Sequence, residues 1–102
     1  ETEQAARELQ ARGARNVLVS CGGDGALLLE ESGAVHCAAA PRGTVVNSVG
    51  AGDSMLAGFV AGWLQSGSFA SALRLGIACG SATAFSLGLA GRSQIDALLA
   101  QI

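Results

Sequence analysis

An α/β fold follows from three features of this 102-residue chain. A helical pattern over Thr2–Arg12 runs directly into the short apolar run Asn16-Val17-Leu18-Val19-Ser20, which is half of a βαβ repeat and the signature of a parallel sheet covered by helices. Two long apolar stretches, Ser54–Gln65 and Phe69–Phe85, have helical length and are separated by Ser-Gly. Half of the residues are hydrophobic and 14% are charged, enough to build a core for one domain of this size.

Taken in order, Ala5, Ala6 and Leu9 fall at helical intervals with charges on the opposite face, and Gly13 supplies the stop. Asn16–Ser20 is a buried strand by its β-branched, apolar content. Ala26–Leu29 and Ala34–Cys37 flank Glu30-Glu31-Ser32-Gly33 and form a hairpin. Pro41 and Gly43 break the chain before Thr44-Val45-Val46, read as a last extended segment. Ser68 is placed to cap the helix Phe69–Phe85. Ser93 and Asp96 have capping-box spacing for a helix over Gln94–Gln101. Trp63, at helical spacing from Phe59, is expected in the core. His36 is expected on an edge without a partner; Arg42 and Arg92 could touch phosphates, with solvated loop arginines as the default reading.

Several function classes fall away. A net charge of −2 without a basic cluster argues against nucleic acid as a partner. The chain contains no Lys, which excludes a P-loop lysine. Cys21, Cys37 and Cys79 are odd in number and lack C-x-x-C spacing, as in reduced cytoplasmic proteins. Leu75–Gly91 is uncharged and contains a small-xxx-small pattern, yet it is short for a span and interrupted by Gly, Ser and Thr. It reads as a buried helix, and no membrane partner is expected.

The chemistry concentrates in Asn47-Ser48-Val49-Gly50-Ala51-Gly52-Asp53, a glycine turn followed directly by a helix. Glycines allow tight turning and close approach of an anion, and a helix N-terminus offers unpaired N–H groups and a positive dipole end. The turn is neither a Walker A loop nor a dinucleotide fingerprint, because position 55 is Met. Asp53 in the first turn either stabilises the helix by about 0.3–1 kcal/mol or takes a proton from a group attacking a phosphate. A second glycine run, Ser20-Cys21-Gly22-Gly23-Asp24-Gly25-Ala26, is by itself an ordinary turn between strands.

Together these two motifs, in this order, resemble the C-terminal part of the ribokinase-like sugar kinases, the phosphofructokinase-B family. The resemblance extends from the first helix through Gly80–Ser86 and is closest to bacterial members acting on fructose 1-phosphate. It implies a three-layer α/β/α fold, with residues 1–102 as the C-terminal part of one kinase domain that forms a homodimer at full length. It implies ATP-dependent phosphorylation of a sugar phosphate, fructose 1-phosphate to fructose 1,6-bisphosphate. Tagatose-6-phosphate kinase, 6-phosphofructokinase and ribokinase activities are the alternatives within the family. Asp53 would be the base, and Gly50, Ala51 and Gly52 the anion hole. Ser20, Gly22, Gly23, Asp24, Gly25 and Ser86 would contact ATP, with Thr83–Gly88 closing over the adenine. Mg²⁺ is implied, with ligands upstream, so residues 1–102 alone are expected not to catalyse transfer. Carbonyls of Asn47, Val49, Ser86 and Gly88 would hold K⁺, although Ser86 and Ala90 depart from the Asn and Arg of cation-binding relatives. The reading from a different class is a non-catalytic nucleotide- or anion-binding module.

Overall fold

The computed structural model describes residues 2–102. Helix α1 (Thr2–Ala11) precedes strands β1 (Val17–Ser20), β2 (Ala26–Leu29) and β3 (Val35–Ala38), and α2 (Ala51–Ser66), α3 (Phe69–Ala84) and α4 (Arg92–Leu99) follow. The strands form one sheet in the order β1-β2-β3, and both pairings are antiparallel, with Val17 opposite Leu29 and Leu28 opposite His36. The parallel pairing anticipated from the helix-strand unit does not occur among the described strands. Each connection here is short enough to turn the chain straight back, and parallel neighbours need a crossover.

Period-two alternation along β2 divides the core into two layers. Leu27 and Leu29 join Val17 and Ala6 beneath α1, whereas Ala26 and Leu28 join Leu73 and Ile77 of α3. All four β2 residues are therefore buried, as in a strand covered on both faces. Leu28 and Leu29 are the largest fully enclosed side chains, each contributing about 1.5–3 kcal/mol by transfer from water. The result is helix, sheet and helix pair stacked as three layers.

Glycine, and not large side chains, mates α2 with α3. A Cβ at Gly62 would stand 2.8 Å from the Ala72 Cα, and one at Gly76 would stand 2.9 Å from the Met55 carbonyl oxygen. Gly58 likewise faces the Cys79 thiol, and Gly80 faces the Ala51 carbonyl. The small-xxx-small pattern is thus a buried helix contact, and no helix among the described residues is long and apolar enough to cross a membrane.

Other expectations change. The extended segment Thr44–Val46 forms no strand. Instead Val46 N–H donates to the Ala84 carbonyl at the end of α3. Helix α4 begins at Arg92, and its cap is the Gly91 N–H donating to the Gln94 side chain at 2.9 Å, while Asp96 faces Arg92. Trp63 is 39% exposed and stacks on Phe69 at 4.3 Å, at the edge of the helix contact where Gly62 and Phe59 turn inward instead. His36 has a partner in Glu30, its diagonal neighbour across the hairpin.

Candidate active site

The N-terminus of α2 is set by Gly50, whose φ of +84° lies in the left-handed region. Ahead of it, the Asn47 side chain accepts from Val49 N–H at 3.0 Å, closing a turn on itself. Asn47 N–H and Val46 N–H share the Ala84 carbonyl at 3.1 and 2.8 Å, which fastens the turn to the end of α3. The helix starts at Ala51, three residues earlier than expected from its apolar pattern, so Gly52 and Asp53 belong to its first turn.

This redistributes the donors. Ala51 N–H donates to the Ser48 carbonyl at 3.1 Å, and Ser54 N–H to the Gly50 carbonyl at 2.9 Å. Between them, Gly52 and Asp53 N–H have no acceptor among the described residues, as the opening of a helix dictates. Of the expected anion hole, Gly52 keeps a donor free, Gly50 shapes the turn, and Ala51 has its donor engaged.

The second glycine run forms a 3-10 turn over Gly22–Asp24, locked by Cys21 N–H to the Gly25 carbonyl at 2.8 Å. Gly25 has a φ of +96°, and a Cβ there would collide with the backbone of Ala38 and Ala39. The turn is therefore pressed against the end of β3, at a distance only glycine allows.

Both runs open onto one cleft of about 420 Å³, within the size range of small-molecule sites. Ser20, Gly22, Gly23 and Gly25 form one wall, and Ser48, Ala51 and Gly52 form another. The face Ile77, Gly80, Ser81 and Ala84 of α3 makes the floor, with Phe85 and the segment Pro41–Gly43 alongside. That α3 stripe has i, i+3, i+4, i+7 spacing and was readable as a face, although nothing in it marked a ligand. Of the two loop arginines that could touch phosphates, Arg42 lines the cleft and Arg92 does not.

Asp24 and Ser86 do not line this cleft. The 3-10 turn carries Asp24 to the opposite side, into a shallow depression with Cys21 and Cys37. Ser86 donates its hydroxyl to the Ala82 carbonyl at 2.7 Å and accepts from Gln94 at 3.1 Å, so it ties α3 to α4. Asp53 also lies outside the cleft. It is exposed and borders a separate groove with Leu56, Ala57, Val60, Ala61 and Leu64. Successive helical residues diverge by about 100° around the axis, so Gly52 faces the cleft and Asp53 the groove.

The fit to cations is uneven. Among the described residues no three His, Cys, Asp or Glu side chains gather, and both aspartates near the motifs stand off the cleft, so no Mg²⁺ site is formed by them. The bonds from Val46 and Asn47 to Ala84 bring the 47–49 turn to the end of α3, two residues before Ser86 in the chain. All three cysteines are free, and burial pushes the Cys79 thiol up from its ordinary value.

A profile of the pfkB family carbohydrate kinases matches residues 1–95. The chain belongs to this family. It is 47% identical over 96 residues to 1-phosphofructokinase of Bacillus subtilis, an alignment covering 94% of this chain and 31% of that protein. It is equally identical, over the same shares, to D-tagatose-1-phosphate kinase of Bacillus licheniformis. The crystal structure of phosphofructokinase-2 from Escherichia coli in complex with potassium superposes with a TM-score of 0.88 at 30% identity, over 98% of this chain and 33% of that one. The fold is ribokinase-like, and the chain spans about one third of the length of the curated relatives it matches.

Proposed function

We propose that this pfkB chain is the phosphoryl-transfer segment of an ATP-dependent sugar-phosphate kinase whose acceptor is fructose 1-phosphate, converted to fructose 1,6-bisphosphate. One observation carries the reading: the free N–H donors of the α2 N-terminus lie between the cleft bordered by Gly52 and the groove bordered by Asp53. ATP occupies the cleft along Ser20, Gly22, Gly23 and Gly25, with its γ-phosphoryl at the helix N-terminus. The acceptor enters from the groove. Its hydroxyl loses a proton to the Asp53 carboxylate as its oxygen attacks phosphorus, and ADP leaves on the cleft side. Negative charge on the equatorial oxygens is met by Gly52 and Asp53 N–H. An in-line displacement requires the attacking and leaving groups to approach phosphorus from different sides, and two separate openings at the α2 N-terminus support that reading.

Mg²⁺ supplies charge neutralisation between the β and γ oxygens in this chemistry, and its ligands belong outside this chain. K⁺ is assigned to the carbonyls of Asn47, Val49, Ser86 and Gly88, supported by the tie between the 47–49 turn and α3. A second acceptor, D-tagatose 1-phosphate, is favoured by the equal 47% identity to the kinase named for it.

The test is ADP release by this segment within the full length of its relatives, against fructose 1-phosphate, tagatose 1-phosphate, tagatose 6-phosphate, fructose 6-phosphate and ribose. The highest kcat/KM is expected with fructose 1-phosphate. A protein that binds ATP and phosphorylates none of them is a nucleotide-binding module, and the kinase reading then fails.

A further inference from the structure

Among the described residues Arg42 is the one charged residue lining the cleft, and none of its lining residues is acidic. The ion pairs of the described residues join Arg7 to Glu3, Arg15 to Glu31, His36 to Glu30 and Arg92 to Asp96, while Arg74 donates to the carbonyls of Leu99 and Ile102. Arg42 takes part in none of these contacts. Its place in the chain is nonetheless fixed. Pro41 restricts the backbone on one side. On the other, Gly43 packs so closely on the Phe85 ring that a Cβ would stand 2.6 Å from its Cζ. An unpaired guanidinium is therefore anchored at the rim of a cleft whose remaining polar lining is hydroxyl and backbone.

A nucleoside triphosphate brings several negative charges into that cleft. The α2 N-terminus offers the equivalent of only about half a positive charge, and the chain has no Lys to add one. A planar guanidinium with five donors matches phosphate oxygens bidentately. We infer that Arg42 is a nucleotide-binding residue that grips the polyphosphate chain, standing in for the lysine that glycine-loop sites of other folds use. This inference rests on the reading of the cleft as the ATP site. It assigns Arg42 to binding and not to chemistry, because the acceptor side of the helix lies across the N-terminus from it.

Calorimetric titration of the full-length kinase containing this segment, and of its Arg42→Gln and Arg42→Lys variants, with ATP, ADP, AMP and adenosine tests this, with thermal unfolding as the check on folding. In Arg42→Gln, ATP affinity is expected to fall about tenfold or more, as for loss of a charge-assisted pair, with ADP falling similarly. Adenosine affinity should be unchanged, and Arg42→Lys should recover part of the loss because it keeps the charge. Unchanged ATP affinity in a folded Arg42→Gln protein overturns the assignment while leaving the cleft as the ATP site. An equal loss for adenosine and ATP also overturns it, by moving Arg42 to the base. A folded wild-type chain that binds none of the four defeats the reading of the cleft, and the role of Arg42 with it.

Discussion

The Thr83 hydroxyl on α3 donates to the Ser54 hydroxyl on the first turn of α2 at 2.9 Å. Among the described residues Thr83 is the one buried polar side chain, only 2% exposed, so this bond is made in a region poor in water. It joins the helix end that offers free N–H groups to the helix that floors the cleft. Replacing Thr83 with Val keeps the shape and leaves the Ser54 hydroxyl without its donor, which should cost about 1–2 kcal/mol. Denaturant unfolding of the variant measures this, and a loss below the error of the method would show that the bond contributes nothing net.

Asp53→Asn separates chemistry from capping. Asp53 is exposed and makes no hydrogen bond or ion pair among the described residues, so stability should change by less than about 1 kcal/mol. The amide cannot take the acceptor's proton, and kcat of the full-length kinase should fall by roughly 10²–10⁴. A folded variant with near-normal kcat would leave the carboxylate as a helix-end charge and nothing more.

Gly52→Val probes the anion site. A Cβ at Gly52 meets nothing within 4 Å, so the fold has room for it. The added methyls project where the phosphoryl group must come, and loss of one such donor contact costs roughly 10²–10³ in rate. The expectation is a well-folded protein with ATP turnover reduced on that scale. A large drop in melting temperature instead would mean that the position serves the helix and not the ligand.

The cysteines give a prediction about labelling. Cys37 is exposed, whereas Cys79 is partly buried between α2 and α3 and its thiol is pushed up by that burial. Raised in the folded state, Cys79 favours folding below the ordinary thiol range and loses that contribution as pH climbs through its folded value. Iodoacetamide at pH 8, followed by peptide mass analysis, should modify Cys37 first and Cys79 last. Equal rates at the two sites would show that α2 and α3 separate readily.

How much of this was visible in the letters alone differs from element to element. The hairpin around Glu30–Gly33 and the Ser68 cap (its hydroxyl accepts from Ser71 N–H at 3.3 Å) were readable because each depends on neighbours within a few residues, and the small residues of α3 were readable as a buried face, though not the α2 partner they meet. The start of α2 was not, since glycines at 50 and 52 suit a turn and a helix opening equally until Ser48 is seen to accept from Ala51. Nor was the orientation of α2. Leu56, Val60 and Leu64 are as apolar as any core residue, yet they are 55%, 47% and 78% exposed, and the helix turns Gly58 and Gly62 inward. At the site, the two glycine runs and Asp53 stood out by composition. Arg42 could not be told apart from Arg92 as a phosphate contact, because it is the packing of Gly43 on Phe85 that brings its loop to the cleft.

The close approach at Gly62 makes α2 a lever. Adding one methyl there, Gly62→Ala, gains about 1 kcal/mol of helix propensity but presses on the Ala72 backbone, where overpacking costs roughly 1–3 kcal/mol. Strain of that kind is relieved by spreading the helices at the far end, about 16 Å from Ala51 at the helical rise per residue. The hydrogen bond between Thr83 and Ser54 then acts as a fulcrum, and the first turn tilts by the small angle the far end requires. Aim, more than affinity, is what such a tilt changes. A kinase with a distant alanine would hold its nucleotide and still deliver the phosphoryl group off axis.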